Sequence, residues 1–303
     1  MSESLPEGVL DLAGLREATF SGIPLGVVGW PVRHSVSPAM HTAALATLAQ
    51  TDPAFSEWHY TAFELQPSEL PEAIALFRAK GFRGINVTVP HKVEVLPLLD
   101  EIDSVAEKMG AVNTLVFEDG KLIGYNSDGY GIECAVKEAF GCNLRGQSVL
   151  LLGAGGASRA AAAQCVESGV RSLIIANRTL EKAQKIVEQI SDGEVQIQAA
   201  TSSDAASQIE SGTLVINATS LGLRAEDSLP IEVGELPEGC LLFDMIYNPA
   251  ETPFLLAGRM RGYPVSNGLG MLVHQGVRSL EIWTGREVDP QVMRKACEKS
   301  LST

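Results

Sequence analysis

Basic residues are scarce in this 303-residue chain: 23 Lys and Arg stand against 37 Asp and Glu, a formal charge of −14 at neutral pH. Nucleic acids and anionic membranes are held mainly through Lys and Arg, so this balance argues against both as partners and leaves only local basic spots for small anions. Cysteine is sparse as well. Cys134, Cys142, Cys165, Cys240 and Cys297 form an odd set with no C-x-x-C pair and no His at ligand spacing. That pattern points to a reduced, cytoplasmic inventory with no metal site. A basic start is missing: Met1–Leu15 carries Glu3, Glu7 and Asp11, and the first base is Arg16, the reverse of a signal peptide. Long apolar runs are missing too. The longest stretch without a charged residue, His34–Thr51, contains Ser35, Ser37, His41, Thr42, Thr47 and Gln50, which would be costly in hydrocarbon.

What is present suits a globular protein with two cores, since 45% of residues are apolar and 20% charged and a domain typically takes about 150 residues. Strand-like runs alternate with helix-like stretches, which gives the α/β class. Strands are expected at 25–29, 58–63 and 84–89, with a hairpin of 113–117 and 122–125 around Glu118-Asp119-Gly120. Ser37-Pro38 reads as a helix start, with Ser37 as cap and Pro38 first in the helix. From Asp128 a second domain begins, a doubly wound sheet with strands at 148–152, 172–176, 196–199, 213–217, 241–244 and 265–267. Its helices fall at 180–190, 203–210 and 253–261. Two further helices, 271–284 and 290–300, follow the last strand and are expected to fold back on the first domain. The substrate-binding domain is therefore residues 1–127 completed by 268–303, and the cofactor domain is 128–267.

The apolar strand Val149–Leu152 runs into Gly153-Ala154-Gly155-Gly156-Ala157 and an alanine-rich helix. Glycines at a strand-to-helix turn let backbone approach a pyrophosphate, and the helix end offers N–H groups and a partial positive charge. A dinucleotide is implied. The next strand ends in Asn177-Arg178-Thr179, with no carboxylate for a ribose 2′-hydroxyl and one guanidinium for a 2′-phosphate, which favours NADP over NAD. In the first domain, Ser35 and Ser37 stand two apart before a helix and can donate to one carboxylate. The segments Asn86-Val-Thr88-Val-Pro-His91-Lys92 and Asn126-Ser127-Asp128-Gly129 suit a small polyhydroxylated substrate. Either His91 or Lys92 can serve as acid or base there. His34, His41, His59 and His274 read as packing or surface residues.

Together with Gly110-Ala-Val-Asn-Thr114, Asn217-Ala-Thr-Ser220, Asp244-Met-Ile-Tyr247 and Asn267-Gly-Leu-Gly-Met271, these motifs resemble the shikimate dehydrogenase family from about Leu25 to Gly285. The resemblance implies an N-terminal α/β substrate domain plus a Rossmann-like, doubly wound parallel sheet. It implies NADP-dependent reduction of 3-dehydroshikimate to shikimate in the shikimate pathway, which leads to chorismate and the aromatic amino acids. Lys92 and Asp128 would be the catalytic pair. Ser35 and Ser37 would bind the carboxylate, and Thr88, Asn113 and Gln275 the ring hydroxyls with help from Asn86, while Tyr247 lies on the substrate side. Gly153 to Ala157, Asn177, Arg178, Thr179, Thr219, Ser220, Gly268 and Met271 would line the cofactor. Ser127 stands where Thr is more usual. Alternatives within the pattern are a quinate/shikimate dehydrogenase of broader substrate or NAD use, and a non-catalytic regulator that binds such ligands. The expected assembly is a monomer or homodimer.

Overall fold

The computed structural model describes residues 8–191 and 193–302, so residues 1–7 of the acidic N-terminal segment discussed above, with Glu3 and Glu7, lie outside the described residues. Two compact units are found. One comprises Met1–Ser127 with Gln275–Thr303, the other Asp128–His274. Among the described residues no helix is long and apolar enough to cross a membrane.

The first unit is built on a seven-stranded mixed sheet. Its strands are β1 (Val9–Leu10), β2 (Ile23–Gly29), β3 (Trp58–Glu64), β4 (Gly84–Val87), β5 (Glu101–Ile102), β6 (Thr114–Glu118) and β7 (Lys121–Tyr125), in the spatial order β1-β3-β2-β4-β6-β7-β5. β2 is buried from Pro24 onward and paired on both sides, which is why it reads as a continuous apolar run. The tight β6–β7 hairpin makes the two antiparallel pairings of an otherwise parallel sheet. Register decides what meets inside: Asn86 lies opposite Thr114, and Thr114 opposite Tyr125. Helices α1 (Leu12–Glu17), α2 (Ser37–Thr51), α3 (Leu70–Ala79), α4 (His91–Glu94) and α5 (Ser104–Met109) connect these strands. One core gathers Phe63, Leu65, Phe77, Phe82, Ile85 and Leu115.

The second unit holds α6 (Asp128–Phe140), β8 (Ser148–Leu152), α7 (Gly156–Glu167), β9 (Ser172–Asn177), α8 (Leu180–Ile190), β10 (Gln196–Thr201), β11 (Leu214–Asn217), β12 (Leu241–Asp244), α9 (Pro253–Met260) and β13 (Val265–Ser266). All six strands are parallel, in the order β10-β9-β8-β11-β12-β13. The order turns back between β8 and β11, and in such sheets ligands bind outside the carboxyl ends of the strands at that point. Helix α10 (Leu269–Thr284) contains the unit boundary, and α11 (Pro290–Leu301) follows it.

Two expectations are corrected. The stretch 203–210 is not a helix but a short 3-10 turn at Ala205–Gln208. Thr201, Ser203, Asp204 and Ser207 bond to one another and to local backbone, with Thr201 Oγ1 to Asp204 Oδ2 at 2.7 Å and Ser207 Oγ to the Asp204 carbonyl at 2.8 Å. These local bonds compete with helical pairing. At the start of α2 the cap position belongs to Val36, with Ser37 and Pro38 first and second in the helix and no side-chain cap bond. The Ser37 hydroxyl is therefore not committed to capping.

Candidate active site

In the first unit the loop between β2 and α2 is held from below by Glu64. Its carboxylate accepts from the Val32 N–H at 3.2 Å and from Arg33 Nε at 2.7 Å, and the hydrogen bond from Arg33 holds the carboxyl below its usual range. The loop is thus pinned to the end of β3. The Ser37 N–H donates to Ser35 Oγ at 3.3 Å, so the two serines are adjacent in space as well as in sequence. A cavity of about 290 Å³ opens beside them, lined by Arg33, Ser35, Pro38, Tyr60 and Thr61 among others. Ser35 lines it, while Ser37 is buried and is not among the lining residues. Tyr60 is buried, which pushes its phenol well above the usual value and keeps it a hydrogen-bond donor. His41 stacks on Tyr60 with ring centroids 4.3 Å apart. Burial pushes the His41 imidazole down to about 3, so it packs as a neutral ring.

At the ends of β4, β6 and β7 a buried polar cluster forms. Asn113 is 2% exposed; its carboxamide oxygen accepts from the Ser127 N–H at 2.8 Å, and its Nδ2 donates to Ser127 Oγ at 3.0 Å. Asn86 presents its oxygen to the Tyr60 hydroxyl at 2.8 Å and its Nδ2 to the Asn113 carbonyl at 3.1 Å. Thr88, half-buried, follows β4 with its N–H on the Val28 carbonyl at 2.9 Å.

In the next turn His91 and Lys92 are placed differently. The His91 ring is fully buried, with Nε2 donating to the Leu65 carbonyl at 2.8 Å, so it serves as a strut. Lys92 is half-buried, and its carbonyl accepts from the Val112 N–H at 2.9 Å, which ties α4 to the segment leading into Asn113. Gln275 is half-buried on α10, whose Trp283 anchors it to β6 through Nε1 and the Leu115 carbonyl at 2.8 Å.

In the second unit Asp128 is the first residue of α6 and 6% exposed. The glycine turn follows β8. Gly153 has φ +112°, where a side chain is strained, and a Cβ there would press to 3.1 Å on the Ala218 carbonyl. Gly155 occupies the cap of α7 without a side-chain cap bond, and Gly155, Gly156 and Ala157 are exposed. The helix thus meets solvent with backbone N–H groups where an anion is favoured. Across the switch point, Asn217 accepts from the N–H and hydroxyl of Thr219 at 3.0 and 2.7 Å, shaping the turn that leaves Ser220 exposed. Asp244 is fully buried, and burial raises its carboxyl although Thr252, Ile246 and Asn217 all donate to it. It locks the end of β12, from which Tyr247 emerges half-buried. Gly268 donates to the Ile246 carbonyl at 3.0 Å, and a Cβ there would collide with the Met245 carbonyl. Met271 packs on this unit's core.

β9 ends in Asn177, whose Nδ2 donates to the Thr179 carbonyl at 2.9 Å and rounds the turn that exposes Arg178 and Thr179. The sequence reading missed Lys182, exposed in the first turn of α8, with its N–H on the Thr179 carbonyl at 3.1 Å. Its signal was the three-residue spacing from Thr179, which puts a second cation at the same strand end. Close-approach glycines, an uncapped helix end and these cations fit a phosphate-bearing dinucleotide.

A family model described as the shikimate dehydrogenase substrate binding domain matches residues 27–115, and one described as shikimate / quinate 5-dehydrogenase matches 134–224. A third, the shikimate 5'-dehydrogenase C-terminal domain, matches 268–298. Over 283 residues, 91% of this chain and 94% of the relative, the sequence is 42% identical to the NADP(+) shikimate dehydrogenase of Symbiobacterium thermophilum. The chain belongs to the shikimate dehydrogenase family. Among solved members, the Thermus thermophilus enzyme in complex with NADP(H) and shikimate is 34% identical, with a TM-score of 0.80 over 92% of this chain and 99% of that one. The quinate dehydrogenase of Corynebacterium glutamicum in complex with NAD is 31% identical, with a TM-score of 0.82 over 92% and 99%. These two similar structures thus differ in the substrate they are named for and in the dinucleotide they hold.

Proposed function

We propose that this shikimate dehydrogenase family member interconverts 3-dehydroshikimate and shikimate with NADP, using Lys92 and Asp128 as its catalytic pair. The observation that carries the reading is the buried cluster of carboxamides and hydroxyls at the ends of β4, β6 and β7, with a half-buried ammonium on the adjoining α4. Such a surface suits a polyhydroxylated ring, and an ammonium suits a carbonyl oxygen that is about to gain charge.

NADPH, when bound, supplies the hydride. Gly153 to Ala157, Thr219, Ser220, Gly268 and Met271 cradle it, and Asn177, Arg178, Thr179 and Lys182 receive its 2′-phosphate. Ser35 and Ser37 bind the carboxylate, while Thr88, Asn113 and Gln275 orient the ring hydroxyls and Tyr247 lies on the substrate side. Asn86, whose carboxamide is engaged by Tyr60 and the Asn113 carbonyl, acts by holding Asn113 in place. As the ketone is reduced, Lys92 neutralises the developing alkoxide and delivers its proton, and Asp128 accepts a hydrogen bond from the substrate hydroxyl. Five free cysteines are consistent with a cytoplasmic enzyme, and its partners are small molecules, with a monomer or homodimer as the working assembly.

The similarity to an NAD-linked quinate dehydrogenase supplies the rival reading. Turnover measured with shikimate and quinate, each with NADP and NAD, separates the two. The expected result is the highest kcat/KM for shikimate with NADP; a higher value for quinate with NAD overturns the proposal.

The carboxylate clamp yields a separate expectation. Ser35→Ala and Ser37→Ala should each raise the shikimate KM about ten-fold or more, the worth of a hydrogen bond to a charged group, and leave the NADP KM unchanged. Because Ser37 does not cap α2 but bonds the buried Tyr60 hydroxyl, its variant should lose no more stability than that one bond is worth, about 1 kcal/mol. Wild-type KM in both variants would mean the carboxylate binds elsewhere.

A further inference from the structure

Ser279 sits on α10 one turn after Gln275, fully buried, and no motif in the sequence marks it. Its hydroxyl is a hub. Its Oγ donates to the Gln275 carbonyl of its own helix at 3.0 Å, and lies 2.9 Å from Asn86 Nδ2, 2.7 Å from Thr114 Oγ1 and 3.1 Å from Ser127 Oγ. A hydroxyl has one proton to give and two lone pairs to fill. With the proton on the helix carbonyl, Ser279 accepts from Asn86 and from one of the two neighbouring hydroxyls.

Those two hydroxyls have a second acceptor in common. Thr114 Oγ1 lies 2.9 Å and Ser127 Oγ 3.2 Å from Asn113 Oδ1, which already takes the Ser127 N–H. Two protons therefore serve two acceptors, Asn113 Oδ1 and Ser279 Oγ. Asn113 Oδ1 already holds the Ser127 N–H and Ser279 Oγ the Asn86 amide, so each acceptor has one place left for one of the two hydroxyl protons. Remove the Ser279 oxygen and both hydroxyls compete for Asn113, while Asn86 Nδ2 keeps the Asn113 carbonyl at 3.1 Å and a long contact to Thr114 at 3.4 Å. Buried networks are sensitive to such a loss, since each unpaired group is costly away from water.

We propose that Ser279 is a positioning residue that sets the carboxamide orientation of Asn113, and with it the hydroxyl of Ser127, toward the substrate ring. The inference rests on the reading that Asn113 binds that ring. Through Asn86 the same hub reaches Tyr60, whose ring lines the cavity beside Ser35, so one chain of bonds aligns both ends of the substrate site.

The test is a set of variants of the full chain. Ser279→Ala should raise the shikimate KM about five- to ten-fold, the scale of one lost neutral hydrogen bond, with kcat within about two-fold and the NADP KM unchanged. A hydroxyl carried by Ser279→Thr should restore most of the KM, which a merely space-filling role would not require. In the cycle with Asn113→Ala, the double variant should be no worse than Asn113→Ala alone. If Asn113→Ala leaves the shikimate KM unchanged, the reading of the site fails. If it raises KM while Ser279→Ala does not, or if the two effects add fully, the reading stands and the inference about Ser279 is overturned. A matching fall in the NADP and shikimate affinities of Ser279→Ala would likewise overturn it, since that is a general loosening of the fold.

Discussion

Lys92→Ala should lower kcat by roughly 10²–10⁴-fold, the usual worth of a positioned acid or base, with little change in the dissociation constant for shikimate. The reason lies in what the side chain does and does not hold. The backbone bond from the Val112 N–H to the Lys92 carbonyl at 2.9 Å, which ties α4 to the segment before Asn113, is left intact by truncation of the side chain. The carboxylate and ring hydroxyls of the substrate keep Ser35, Ser37, Asn113 and Gln275. What disappears is the one group proposed to meet charge that exists only as the hydride arrives, so the loss falls on the transition state and not on ground-state binding. Asp128→Asn should impair turnover as well, and the double variant should fall far short of the product of the two, as expected of groups that act together. His91 supplies the contrast. Its buried ring props the Leu65 carbonyl, so His91→Gln should lower the melting temperature more than it lowers kcat. Single-turnover reduction of 3-dehydroshikimate by stopped flow reads the step directly. Retention of more than a tenth of the wild-type rate by Lys92→Ala would remove the lysine from the chemistry.

Local chemistry made part of this site legible in the sequence, and distance hid the rest. The turn after β8 needs glycine because its backbone takes φ +112° beside the Ala218 carbonyl, and that need is written in adjacent letters. So is the lack of a carboxylate after β9. The burial of the His91 ring was not legible, because its partner is the Leu65 carbonyl, 26 residues upstream of His91. Ser279 was still less so: its partner Asn86 is 193 residues away, and the two meet only through the register of β4 on β6 and the docking of α10 by Trp283.

The elements show the same division. Periodicity found the strands of the second sheet and five of the seven in the first, missing β1 and β5, which at two residues each are too short to show a period. It also read a helix at 203–210 where side chains of Thr201, Ser203 and Asp204 prefer to bond locally. The serine before Pro38 looked like a cap because Ser-Pro so often starts a helix, whereas here the helix begins one residue earlier, after Val36. The second unit was expected to end at 267, at the close of its last strand, and instead runs to His274. The first turns of α10 pack on that unit: Met271 joins its core and His274 bonds Glu138 at 3.0 Å. A helix that serves two units in succession carries no mark of the changeover in its own spacing.

Arg178→Ala should raise the NADP KM roughly ten- to a hundred-fold, the equivalent of about 1.5–3 kcal/mol for a hydrogen bond to a charged group. Arg178 is exposed at the turn after β9, and the turn itself is shaped by Asn177 Nδ2 on the Thr179 carbonyl, so the substitution removes a guanidinium without unmaking the loop. The NAD KM should hardly move, because NAD has no 2′-phosphate for the arginine to meet. The two cofactors should therefore approach equal efficiency in the variant, chiefly through loss with NADP. Lys182 remains one turn into α8, so a residual preference for NADP should survive and vanish in the double variant with Lys182→Ala. Salt gives an independent reading: the NADP KM of the wild-type enzyme should rise with ionic strength, and less steeply in Arg178→Ala, since screening acts on the contact that has been removed. A wild-type enzyme that uses NAD and NADP equally well, or an Arg178→Ala variant whose KM rises in parallel for both, would show that the strand end does not read the phosphate.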